Sequence, residues 1–123
     1  MVKGKKLPKK CVLIVDDNSS DSIAEMIERR SYFALPYSDS NQAIEDIKNG
    51  IEYDLALVDI AFESSRVDGV EVIKELKLKY PSKPVLVISC YSDKPTMADG
   101  VFSKPLFPNK LENMLRIYLG YEK

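Results

Sequence analysis

Residues 55–58, Leu55-Ala56-Leu57-Val58, form an apolar run with no polar alternation that stops abruptly at the carboxylate of Asp59. A strand of that kind has both faces covered, as in the interior of a parallel sheet. Cys11-Val12-Leu13-Ile14-Val15 repeats the pattern and stops at Asp16-Asp17. Lys83-Pro84-Val85-Leu86-Val87-Ile88 repeats it again and runs into Ser89. Parallel strands need long crossover connections, usually helical, so these three runs commit the chain to alternating strands and helices.

The stretches between them have helical spacing. After a polar start over residues 18–21, Ile23, Met26 and Ile27 form an apolar stripe that Arg29-Arg30 end. Phe33-Ala34-Leu35-Pro36-Tyr37 reads as a strand demoted to a sheet edge by Pro36, which cannot donate to a ladder. Asp39 and Gln42 have capping-box spacing before Ala43, Ile44 and Ile47, and Asn49-Gly50 is a helix stop. Asp68 and Glu71 repeat that spacing before Val72, Ile73, Leu76 and Tyr80, with Pro81 closing the segment. Val101-Phe102-Ser103 reads as a short last strand. Pro108 then starts a helix with Leu111, Met114, Leu115, Tyr118 and Leu119 on one face.

Five strands alternating with helices predict an α/β three-layer, doubly wound, flavodoxin-like parallel sheet with right-handed crossovers. The three most apolar strands belong in the centre, giving the order 2-1-3-4-5. Its switch point lies between the first and third strands, and ligands bind at the carboxyl ends of strands at such points. Asp16, Asp17 and Asp59 meet there.

A length of 123 residues suits one domain, read as a basic tail over residues 1–10 and a folded unit over 11–123. The tail holds Lys3, Lys5, Lys6, Lys9 and Lys10 without an acid, the composition of a solvated segment. A net charge of -1 and no long apolar run point away from nucleic acid and membrane partners, and the absence of a secretory leader makes the cytoplasm the expected location. With no histidine in the chain, histidine catalysis and histidine metal sites are excluded. Cys11 and Cys90 are expected at opposite sheet edges, too far apart for a disulfide, and so as free structural thiols.

Three carboxylates at one crevice repel one another unless a cation is present. Magnesium, which takes oxygen ligands and leaves positions for phosphate, suits Asp16, Asp17 and Asp59. The same strand logic brings the hydroxyl of Ser89 and the charge of Lys104 to that edge. Acids, metal, hydroxyl and ammonium together make a phosphoryl site, in which an Asp carboxylate can be the nucleophile. Asp59, alone and central, is the expected acceptor.

The residues Val12-Leu13-Ile14-Val15-Asp16-Asp17, Leu55-Ala56-Leu57-Val58-Asp59, Asp68-Gly69, Val85-Leu86-Val87-Ile88-Ser89 and Lys104-Pro105 resemble the response-regulator receiver domain, the phosphoacceptor of two-component signalling. The resemblance implies that Asp59 takes a phosphoryl group from a sensor histidine kinase or phosphotransfer protein, and that the Ala61 carbonyl joins the three acids around Mg2+. It also implies that Ser89 binds a phosphoryl oxygen and moves on activation, and that Lys104 pairs with Asp59. A cis bond between Lys104 and Pro105, and a Phe102 ring that reports the active state, are implied too. A turn proline and a core aromatic fit the same two residues.

Two stretches depart from the family pattern. Residues 61–67, with Glu63 and Arg66, make the loop after Asp59 longer than usual and lack its Met-Pro pair. Only residues 90–99 separate the fourth and fifth strands, too few for a full crossover helix, so 91–99 are expected as a loop or single turn where the family has its fourth helix. Tyr91 there is read either as a shield over an aspartyl phosphate or as an ordinary packed or exposed tyrosine.

The expected function is that of a stand-alone receiver, not an enzyme beyond its own phosphorylation and dephosphorylation, whose output is altered affinity for a separate effector protein. The alternative is a non-switching pseudo-receiver used as a docking module. Ala61 stands where an aspartyl phosphatase would want its second acid, and Asp16-Asp17-Asn18 would repel the phosphate of a flavin.

Overall fold

The sheet is built from β1 (Cys11–Val15), β2 (Phe33–Tyr37), β3 (Leu55–Asp59), β4 (Val85–Ser89) and β5 (Gly100–Ser103), all parallel and hydrogen-bonded in the order β2-β1-β3-β4-β5. The computed structural model describes residues 10–60, 69–89 and 97–120. Helices α1 (Ser20–Glu28), α2 (Ser40–Lys48), α3 (Gly69–Lys79) and α4 (Pro108–Leu119) complete it. The strand order is the one expected from the apolar runs.

Those runs lack alternation because successive side chains enter two different cores. Val12, Ile14, Leu55, Leu57, Leu86 and Ile88 pack under α1 and α4, against Ile23, Ile27, Leu111, Met114 and Leu115. Leu13, Val15, Ala56, Val58, Val85 and Val87 pack on the other face, against Ala43 and Ile47 of α2 and Val72, Ile73 and Leu76 of α3. Every residue of β3 and β4 is buried, whereas β2 and β5 are partly exposed at the edges.

Three details of local chemistry set how these elements begin. Asp39 caps α2 by accepting from the Asn41 amide at 2.9 Å, but the Gln42 amide turns forward to Asp46 at 3.0 Å, so the capping box is half made. A charged acceptor one turn ahead gives the stronger bond. The onset of α1 has no side-chain cap from Ser19, and Asp16 accepts the neighbouring amides instead. Finally, β5 begins at Gly100 rather than Val101. An added Cβ at Gly100 would lie 2.9 Å from the Tyr118 hydroxyl and 3.1 Å from Leu86 Cδ2, so the glycine lets β5 close on β4 beneath α4.

Cys11 is a half-buried free thiol. Cys90, the Asp68 half of the second capping box, residues 61–67 with Glu63 and Arg66, and residues 91–96 with Tyr91 lie outside the described residues. Among the described residues no helix lies between β4 and β5. The entry to β5 is held by Asp99, whose amide donates to the Val85 carbonyl and whose carboxylate accepts from the Val85 amide, both at 2.8 Å.

Candidate functional site

Register decides which residues meet. Val15 pairs with Val58, so Asp16 and Asp59, each the next residue along, stand side by side at the carboxyl edge of the two central strands. Asp59 pairs with Ile88 and Ser89 with Ser103, which brings Ser89 and Lys104 to the same edge. The Lys104 amide donates to the Ser89 carbonyl at 2.8 Å, extending the β4-β5 ladder past its last strand residue.

Asp16 and Ser89 are fully buried, Asp59 nearly so, and Asp17 lies exposed at the mouth. The two oxygens of Asp16 have different work. Oδ1 accepts the Asn18 and Ser19 amides at 2.9 Å each, fixing the turn into α1. Oδ2 is buried and lies 2.6 Å from Lys104 Nζ, a charge-assisted contact. The same Nζ donates to Asp59 Oδ2 at 2.9 Å. The resemblance implied the Asp59 pair alone; the contact with Asp16 is additional. No local sequence signal points to it, because it arises from the packing of β1 beside β3.

The electrostatics follow from that crowding. Burial alone would depress the Lys104 ammonium, but Asp16 and Asp59 outweigh it and hold the group above the usual lysine range. Partial desolvation, then the charges of Asp16 and Asp59, push the Asp17 carboxyl up. Oxygens from Asp16, Asp17 and Asp59 lie within 4.8 Å of one another. Three carboxylates face one ammonium at one crevice, so the acids outnumber the positive charge that balances them. A hard divalent cation with oxygen preference fits that set.

The remaining expected site residues divide. The bond between Lys104 and Pro105 is cis. Phe102 is half-buried, its ring edge-on to Tyr118 at 6.4 Å and part of the α1/α4 core. Ala61 lies outside the described residues. Beside Lys104, an open cleft of about 420 Å3 runs between α1, at Ser22, Ile23 and Met26, and the Pro105-Leu106 turn.

Residues 12–116 match the family model of the response regulator receiver domain. The transcriptional regulatory protein ZraR of Klebsiella oxytoca is 30% identical over 121 residues, which cover 91% of this chain and 27% of that protein. The nitrogen assimilation regulatory protein NtrX of Azorhizobium caulinodans is 34% identical over 80 residues, 63% of this chain and 17% of that protein. This chain thus spans about a quarter or less of the length of these curated relatives. Among solved structures, a CheY-like receiver domain protein of Methanospirillum hungatei JF-1 aligns with a TM-score of 0.76 at 25% identity, over 91% of this chain and 94% of that one.

Proposed function

The chain belongs to the response regulator receiver family, and from that premise we propose that Asp59 is a phosphoacceptor whose phosphorylation by a partner histidine kinase or phosphotransfer protein changes affinity for an effector protein. The observation that carries this reading is Asp59 itself, a nearly buried carboxylate at the end of a central strand with Lys104 Nζ 2.9 Å away. In the transfer, a carboxylate oxygen of Asp59 forms the new O–P bond as the P–N bond of the donor phosphohistidine breaks, and the imidazole takes a proton as it leaves. Lys104, already charged and positioned, meets the incoming phosphoryl oxygens. Ser89 stands at the end of the neighbouring strand as a hydroxyl partner for them.

Asp16, Asp17 and Asp59, with the Ala61 carbonyl that the family resemblance adds, would hold Mg2+, which supplies neutralisation of phosphoryl oxygen charge. The apolar cleft beside Lys104 offers a donor protein a surface next to the acceptor. In this reading the protein works in the cytoplasm and its only chemistry is gain and loss of its own phosphoryl group. Among the described residues no helix is long and apolar enough to cross a membrane.

The test is incubation with Mg2+ and acetyl phosphate followed by intact mass. Wild type gains a labile phosphate-sized adduct and Asp59→Asn gains none. An unmodified wild type would turn the reading toward a non-switching docking module.

A further inference from the structure

Gly69 is the first residue of α3 and is buried against the end of the strand that carries Asp59. A Cβ built on it would strike the Asp59 carbonyl oxygen and would lie 2.8 Å from both Ile60 Cα and Ile60 Cγ2. Two of those three atoms are backbone, so no side-chain rotation relieves the contact. Real Cβ atoms do not approach backbone that closely, and accommodating one requires α3 to retreat or the peptide between Asp59 and Ile60 to shift. Ile60 is itself packed into the α2/α3 core, which opposes that shift.

We infer that Gly69 is a positioning residue of the acceptor site, its missing side chain setting where the backbone of Asp59 and Ile60 lies relative to Asp16 and Asp17. This inference rests on the phosphoacceptor reading for its consequence in rate, although the steric relation is independent of it. The glycine is needed for space rather than for backbone freedom, since its φ is not in the left-handed region, unlike that of Gly50 at +95°. The acid cluster spans only 4.8 Å, so a displacement of a few tenths of an ångström or more at Asp59 alters how the three carboxylates can share one cation. Gly100 supplies a matched control. Its Cβ would meet a tyrosine hydroxyl and a leucine methyl rather than backbone, beneath α4 and away from the acids.

The experiment compares wild type, Gly69→Ala and Gly100→Ala by Mn2+ affinity, by acetyl phosphate labelling at saturating Mg2+ and by thermal midpoint. Gly69→Ala is expected to label at least about tenfold more slowly and to bind Mn2+ more weakly, the scale on which small misplacement of a reacting group costs rate. Gly100→Ala is expected to lose stability but keep both site properties within about twofold of wild type. Should Gly69→Ala not fold, Ile60→Ala with and without Gly69→Ala makes the same comparison with the Cγ2 collision removed. Equal Mn2+ affinity in the members of either Gly69 pair, or an equal loss in Gly100→Ala, would overturn the inference. A wild type that binds Mn2+ but does not label sinks the phosphoacceptor reading and leaves the Mn2+ comparison to decide Gly69. A wild type that does neither sinks both.

Discussion

Two lysines sit at opposite ends of the same sheet and do different things. At the carboxyl edge Lys104 lies 2.6 Å from Asp16 and 2.9 Å from Asp59. At the amino edge Lys83 donates to the Tyr53 carbonyl at 2.7 Å and lies 4.8 Å from the centroid of the Tyr80 ring. The acids differ in the same way. Asp54 at the amino edge accepts the Cys11 amide, and Asp99 accepts the Val85 amide while pairing with Lys77 at 2.7 Å. Those carboxylates finish strand ends, whereas Asp16 spends Oδ1 on the turn into α1 and turns Oδ2 toward Lys104. What separates the edges is the shared partner: Asp16 and Asp59 converge on one ammonium, whereas Asp54 and Asp99 each take the first amide of a neighbouring strand.

Replacing the two lysines should separate the edges most sharply. Lys104→Ala leaves Asp16 and Asp59 buried without their counter-charge, and is expected to destabilise the protein by about 3 kcal/mol without divalent cation while tightening Mn2+ binding. Lys83→Met removes a hydrogen bond and a cation–π contact, a cost of about 1–2 kcal/mol, and should leave Mn2+ affinity and acetyl phosphate labelling at wild-type values. Denaturant titrations with and without Mn2+ measure both. A change in metal affinity in Lys83→Met would break the division between the edges.

A smaller effect is expected for Asp54→Ala, which deprives the Cys11 amide of its acceptor at the start of β1. The expected loss is about 1 kcal/mol of stability with no change in labelling. Equal loss of labelling would mean that acids at both edges feed the site.

The smallest effect concerns the contact between β2 and α2. The Tyr37 hydroxyl donates to Asp46 at 2.7 Å, and burial, then Asp46, push its pKa up to about 12. An acid whose folded pKa is raised contributes stability that is complete below its unfolded value near 10 and lost as pH rises from there toward about 12. The denaturation midpoint of wild type should therefore fall across that window more steeply than that of Tyr37→Phe, with tyrosinate absorbance reporting the late titration. Parallel pH profiles would remove Asp46 from the group of carboxylates with structural work.

The apolar runs of β1, β3 and β4 were legible because residues buried on both faces cannot alternate, and Pro36 marked an edge because it lacks an amide hydrogen. From those facts came the strand order, and from the order came the meeting of Asp16, Asp17, Asp59, Ser89 and Lys104 at one edge. Gln42 was misread because capping spacing says nothing of a competing carboxylate one turn on. The Gly100 boundary was missed because its cause, the Tyr118 hydroxyl, lies eighteen residues later in the chain, on α4.

What the sequence determined by itself is therefore the sheet, its order and the residue types at its carboxyl edge, because hydrophobic periodicity and turn chemistry are local. Only the tertiary structure decided which oxygen of Asp16 is spent on the backbone, that Lys104 bridges two acids rather than one, and that Gly69 must lack a side chain against Asp59. Each of these depends on distances between elements far apart in the chain, and such distances are set by how the two cores close on either face of the sheet.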